Sequence, residues 1–211
     1  SYAAPTKLGS FGIGFQYLSY GSITATDDTG LETGSFKPSD MALSLSYGRS
    51  LGALALGGNI KYISSKIQNK ATAYALDVGS MCRMDKKLSL GAVIQNIGAS
   101  LQFVDEKSPL PLNLKLGAAY HLEPDWILAL DLNAPKDGAI NLGLGTQYGH
   151  KLGHESTLVG RAGYNSRANV NGLHGFTLGF GVLYQQFSLD YAFVPYGNLG
   201  TTHRVSLGVR F

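Results

Sequence analysis

The sequence predicts an all-β protein: an antiparallel, up-and-down transmembrane β-barrel with about twelve strands. Three observations support this. Apolar residues alternate with small or polar ones, at period two, through about twelve segments of roughly 8–14 residues, the length a tilted strand needs to cross a bilayer. The bulky row of each segment stands opposite a row of Gly, Ala, Ser and Asn with scattered charges. A soluble barrel or sandwich would invert this, filling its interior with the large residues and placing charge outside. Finally, the connections sort by length, as they do in barrels with short turns on one side of the membrane and longer loops on the other.

Composition alone does not decide the class, since 211 residues with 44% hydrophobic and 15% charged side chains suit many single domains. The pattern does. No apolar run approaches the ~18 residues of a transmembrane helix, no helical spacing of useful length competes, and 28 glycines would weaken any helix. Only helices and closed barrels satisfy every backbone group inside lipid.

Each strand is marked by its own apolar row. Phe11, Ile13, Phe15 and Tyr17 form that of the first, and Met41, Leu43, Leu45 and Tyr47 that of the second. Leu54, Leu56, Ile60 and Tyr62 mark the third, over about residues 53–66. Tyr74, Leu76 and Val78 mark the fourth, opposite Ala75, Asp77 and Gly79. A fifth, over about 87–103, starts on Leu88 and Leu90 and loses its pattern near Asn96, as a bulge would make it do. Leu112 to Tyr120 in alternate positions, then Trp126, Leu128, Leu130 and Leu132, give the sixth and seventh. Leu142, Leu144 and Tyr148 give the eighth, and Leu158, Ala162 and Tyr164 the ninth. Phe176, Leu178, Phe180 and Val182 form the tenth, Phe187, Leu189, Tyr191 and Phe193 the eleventh, and Val205, Leu207, Val209 and Phe211 the last.

With the final strand ending in the periplasm, the outer connections are 21–38, 65–72, 104–111, 134–139, 166–172 and 195–202, and the inner ones 50–52, 84–86, 123–125, 149–155 and 185–186. Tyrosines and the single tryptophan cluster towards strand ends, where rings with an apolar body and a polar tip suit the two headgroup girdles. On the inner row, positions equidistant from a turn should face each other. That arithmetic pairs Lys61 with Asp77, Lys115 with Asp131, and Asp190 with Arg204, three opposite-sign pairs that would neutralise one another and hold strand register. Arg161 and Arg210 remain as further inner cations.

Nothing in the sequence points to chemistry. A nucleophile, a base and an orienting group must converge, yet His203 and Ser206 lie at an odd separation on opposite faces of one strand. His150 and His154 share a turn, Cys82 has no partner cysteine, and the glycine-rich stretches lie inside strands rather than between a strand and a helix. No catalytic, metal or cofactor site is expected. The charge of +3 is spread along the chain, which excludes a nucleic-acid footprint.

Residues 190–204, Asp-Tyr-Ala-Phe-Val-Pro-Tyr-Gly-Asn-Leu-Gly-Thr-Thr-His-Arg, resemble the last hairpin of the PorV/PorQ-like (UPF0164) outer-membrane proteins, within the broader FadL-type barrel group. Residues 15–21, 61–66, 91–98 and 109–118 agree with it, so the resemblance spans nearly the whole chain. It implies a bacterial outer-membrane location and a single barrel domain over residues 1–211. Such relatives begin with a glycine-rich Asn-Pro-Ala-Gly segment that has no counterpart here. The chain is therefore expected either to lack an N-terminal hatch or first-strand segment of a barrel with about fourteen strands, or to form a smaller barrel of about twelve. The resemblance further implies a component of a type IX-like secretion and surface-attachment system, binding exported proteins through outer loops at Pro195, Tyr196 and Leu199. The alternative is passive transport of hydrophobic small molecules. Expected partners are outer-membrane lipid, envelope or secreted proteins, and the barrel-assembly machinery. That machinery would read the alternating end formed by Tyr191, Val205, Leu207, Val209 and Phe211.

Overall fold

The structure, a computed structural model, describes residues 1–67, 69–98, 100–103, 106–153, 155–166, 175–197 and 200–211, with only the backbone described at 101–103 and 106–107. In chain order its strands are β1 (Tyr2–Thr6), β2 (Gly9–Ser19), β3 (Ile23–Thr26), β4 (Glu32–Phe36), β5 (Ser39–Leu51) and β6 (Leu54–Lys66). Next come β7 (Lys70–Arg83), β8 (Leu88–Gly98), β9 (Leu101–Phe103), β10 (Glu106–Ser108), β11 (Asn113–Glu123) and β12 (Trp126–Pro135). The last are β13 (Asn141–Leu152), β14 (Ser156–Asn165), β15 (Phe176–Tyr184), β16 (Phe187–Pro195) and β17 (Thr201–Val209).

Thirteen strands form one antiparallel sheet in the order β1-β2-β5-β6-β7-β8-β11-β12-β13-β14-β15-β16-β17, so that sheet neighbours follow chain order. This is the up-and-down arrangement expected, with one more strand. The addition is β1, whose Tyr-Ala-Ala-Pro-Thr sequence lacks a bulky row and carries a proline, a residue confined to sheet edges. It stands at one end of the strand order. Hairpins β3–β4 and β9–β10 lie outside the main sheet.

Contacts divide the chain into two compact units. The first holds residues 1–81 and 93–113. Here β5 and β6 pair without interruption from Leu51↔Leu54 to Ser39↔Lys66, closed by a two-residue turn in which Gly52 supplies a φ of +67°. Phe15, Leu45 and Ile60 project to the exterior. The ring pairs Phe11–Tyr47 and Tyr62–Tyr74 stand towards opposite ends of these strands, at centroid distances of 5.0 and 5.4 Å. The expected fifth strand ends early, at Gly98. Asn96 adopts a left-handed φ of +61°, which breaks the alternation. At Gly98 a Cβ would collide with the Tyr74 carbonyl oxygen. Gly98→Ala should therefore cost about 1–3 kcal/mol through forced backbone shifts, read as a lower urea midpoint on vesicle refolding; an unchanged midpoint would contradict that close approach.

The second unit holds residues 82–92 and 114–211. Its strands β12 to β17 pair successively, with Leu130↔Leu144↔Tyr164↔Phe176 running across four of them on the outward row. Trp126–Tyr148 and Tyr164–Phe176 ring pairs lie towards opposite strand ends, with centroids 6.3 and 5.0 Å apart.

Loop sorting is sharper than the sequence suggested at 149–155, because strand pairing extends to Leu152↔Ser156 and shortens that connection to three residues. It fails at 65–72, where β6 and β7 extend inward and leave only 67–69. The first outer loop is not irregular: β3 and β4 pair through a turn whose Asp27 Oδ1 accepts hydrogen bonds from the Thr29 hydroxyl at 2.6 Å and the Leu31 amide at 2.9 Å. The Thr29 hydroxyl bond, with the Leu31 amide second to it, holds the Asp27 carboxyl below its ordinary value of 3.8. A lowered carboxyl pKa gives order that is complete above 3.8 and is lost as pH falls through the lowered value. The Leu31 amide shift should titrate there in micelles and stay flat in Asp27→Asn.

Candidate functional site: the inner face

Alternation places the small and polar row of β12 to β17 on one face, and register turns that row into ladders. Ile127, Gln147, Arg161, Gly179, Ala192 and Arg204 are successive cross-strand partners in one ladder. Ala129, Gly145, Gly163 and Thr177 form the next. Between them lies a groove of about 410 Å³ within the second unit. Its lining is mainly apolar, with Ile127, Ala129, Ala192 and Val194 among the apolar residues and Thr146, Gln147, Arg161 and Thr177 as its polar side chains. The glycines keep its floor low.

Arg161 organises the polar edge. Its Nε donates to Gln147 Oε1 at 2.8 Å on the neighbouring strand, while Nη1 reaches over β15 to Asp190 Oδ1 on β16 at 2.6 Å. That reach requires bare backbone in between: a Cβ at Gly181 would lie 2.5 Å from Asp190 Oδ1 and 3.0 Å from Arg161 Nη1.

Asp190 is therefore paired differently from the sequence expectation. Its cross-strand partner is Ser206, and Arg204 lies opposite Ala192, because the last hairpin centres on position 198 rather than 197. Lys115 and Asp131 likewise make no ion pair among the described residues; Asp131 lies opposite Gly143, and its Oδ1 occupies the space where Gly117 would carry a Cβ. Arg210 comes after β17 and its amide donates to the Gln186 carbonyl at 2.8 Å.

In the first unit Lys61 and Asp77 lie 2.7 Å apart, inside a larger polar cluster. Asn59 Nδ2 donates to Asp77 Oδ2 at 3.1 Å and takes a bond on its own oxygen from the Ser46 hydroxyl at 2.9 Å. The Asn96 amide donates to Asp77 Oδ1 at 2.8 Å, and Lys61 Nζ donates to Asn96 Oδ1. Sequence spacing missed Asn96, whose only signal was the broken alternation around it.

Of the expected loop contacts, Pro195 is inside β16 opposite Thr201, Tyr196 is exposed with its amide bonded to the Gly200 carbonyl at 2.8 Å, and Leu199 lies outside the described residues. Tyr191, Val205, Leu207 and Val209 share the outward row of β16 and β17; Leu207 is 82% exposed, and Phe211 lies beyond the strand end. His203 is on that row too, its Nδ1 sharing a 2.7 Å hydrogen bond with the Tyr191 hydroxyl.

No family model and no curated protein matches the chain. Solved structures do. The toluene transporter TodX of Pseudomonas putida superposes with a TM-score of 0.61 at 11% identity, over 90% of this chain and 74% of that one. The Ralstonia pickettii toluene transporter TbuX gives 0.61 at 12% identity, over 99% and 79%. A TodX variant described as a monoaromatic hydrocarbon channel gives 0.62 at 12% identity, over 99% and 81%. At this identity the likeness concerns the fold. Among the described residues the buried apolar side chains are three alanines, one valine and one leucine, while Leu, Ile, Phe and Tyr fill the outward rows. A surface of that kind needs lipid. With strand order, outward apolar rows and fold in agreement, the chain is a transmembrane β-barrel protein of the bacterial outer membrane.

Proposed function

We propose that this protein is a passive, non-enzymatic conduit for small hydrophobic molecules across the outer membrane. The observation that carries this reading is the groove over β12 to β16, whose volume of about 410 Å³ and apolar lining suit a compact ligand. Its polar edge at Gln147, Arg161 and Thr177 would orient a molecule bearing one hydrogen-bond acceptor. The fold likeness to toluene transporters supports the same class. Uptake of radiolabelled toluene by cells lacking their own hydrocarbon transporters is the test. The full chain should raise uptake, and Ala129→Trp, which fills the groove, should remove the gain at equal surface expression. Equal uptake by the two would sink the proposal.

The second reading is a PorV/PorQ-like component of secretion or surface attachment. It is favoured by the exposed apolar residues that hairpin β3–β4 and the last loop present, Ile23, Leu31 and Tyr196. Its partners would be exported proteins, beside membrane lipid and the barrel-assembly machinery. Affinity purification from the native envelope tests it, since a secretion component should bring down secreted proteins in stoichiometric amounts and a conduit should not.

A further inference from the structure

Ala71, Ala73 and Ala75 on β7 are only 2–3% exposed. Short side chains on the inner row of a wall strand cannot hide themselves, so something must cover them. Over Ala73 and Ala75 the cover is Leu110, itself 8% exposed, with Ile63 packed alongside. Leu110 is the largest buried apolar side chain among the described residues. It comes from the connection between β8 and β11, which the sequence assigned to the outer surface.

Two features aim Leu110 inward. Pro109 and Pro111 flank it with fixed φ angles, and the Leu112 amide folds back onto the Leu110 carbonyl at 2.8 Å. Among the described residues the Asn96 side chain ties this segment to the wall: its Nδ2 donates to the Pro111 carbonyl at 2.9 Å. The same Asn96 is bonded through its amide to Asp77 and through Oδ1 to Lys61. Asn96 makes all three bonds from a left-handed backbone, which asparagine tolerates better than most residues.

We propose that residues 109–112 form an inward strap that obstructs the inner face of the first unit, with Leu110 as the plug and Asn96 as its latch. Among the described residues the strap is held by the Leu110 side chain and one neutral hydrogen bond, whereas β7 beneath it is hydrogen-bonded to a strand on either side. Segments with so few contacts open far more readily than the strands they rest on. The strap opens when Leu110 leaves the alanine row, and the Lys61–Asp77 pair stays in place as the fixed post to which the latch returns. Asn96 is a positioning residue in this device. The proposal concerns passage of any solute and stands apart from the groove in the second unit.

Ion conductance of the full chain in planar bilayers in potassium chloride tests it without reference to a hydrophobic ligand. Asn96→Gly keeps a residue at ease with the left-handed backbone and deletes the latch. It should raise open probability about two- to tenfold, the ratio corresponding to one lost neutral hydrogen bond. Leu110→Ser should raise it further. In a Cys82→Ser background, oxidised Ala73→Cys/Leu110→Cys should hold the low-conductance level until a reductant releases it. Heat-modifiability on gels checks that each variant is folded. Unchanged current in both single variants, or a cross-linked protein indifferent to reductant, would overturn the strap.

Discussion

Leu178→Arg is expected to cost ~2–4 kcal/mol, the penalty for a charged side chain on the lipid face near the bilayer midplane. Leu178 lies on β15 between Phe176 and Phe180, is opposite Ala162 and Phe193 on the neighbouring strands, and is 61% exposed. In water such exposure would make the substitution nearly neutral or favourable. In lipid the guanidinium has only the distant headgroups to reach for. Urea titration of the barrel refolded into vesicles separates these cases. A neutral result would mean that the bulky row does not meet lipid and that the two faces have been exchanged.

Lys61→Met should be of similar size, about 3 kcal/mol, the low end of the cost of removing one partner from a buried ion pair. The Lys61 and Asp77 side chains are 18% and 13% exposed. Without the ammonium, Asp77 keeps its bonds from the Asn96 amide and Asn59, which is why the loss should not reach the upper end. Replacing both, as Lys61→Met with Asp77→Leu, should cost less than Lys61→Met alone, because no uncompensated carboxylate remains. The same refolding titration measures both variants. A loss well under about 1 kcal/mol for the single variant would mean that water reaches the carboxylate freely, as at an exposed pair.

Most of the sheet was legible because lipid on one side and small polar residues on the other enforce a strict period of two. The exceptions have physical causes. β1 offers no contrast between rows. The fifth strand overran because Asn96 enters a backbone region that sequence alternation cannot report. Pairing arithmetic assigned faces but depended on where each turn is centred, so a shift of one residue in the last hairpin was enough to move Asp190 from Arg204 to Ser206. It also considered adjacent strands alone. The Arg161–Asp190 pair skips a strand, and its sequence signal is the pair Gly179 and Gly181 on the strand between the two charges. The two prolines beside Leu110 stiffen its segment, but its burial depends on Ala73 and Ala75, more than thirty residues upstream, which no local pattern reports.

That skipped strand has a consequence for assembly. Backbone ladders resist separation of strands but look nearly the same after a slide of two residues, and glycine-rich strands are the ones most prone to slip. β15 carries glycine at both inner positions beneath the ion pair, so it contributes no side chain of its own there. A bond from β14 to β16 over bare backbone acts as a gauge. Its 2.6 Å length is met only when the strand between is seated in one alignment, and a slide of β15 and β16 by one two-residue step, ~7 Å, would carry Asp190 out of reach. A strand that offers no inner side chain at these two positions is thus aligned by the two strands on either side of it.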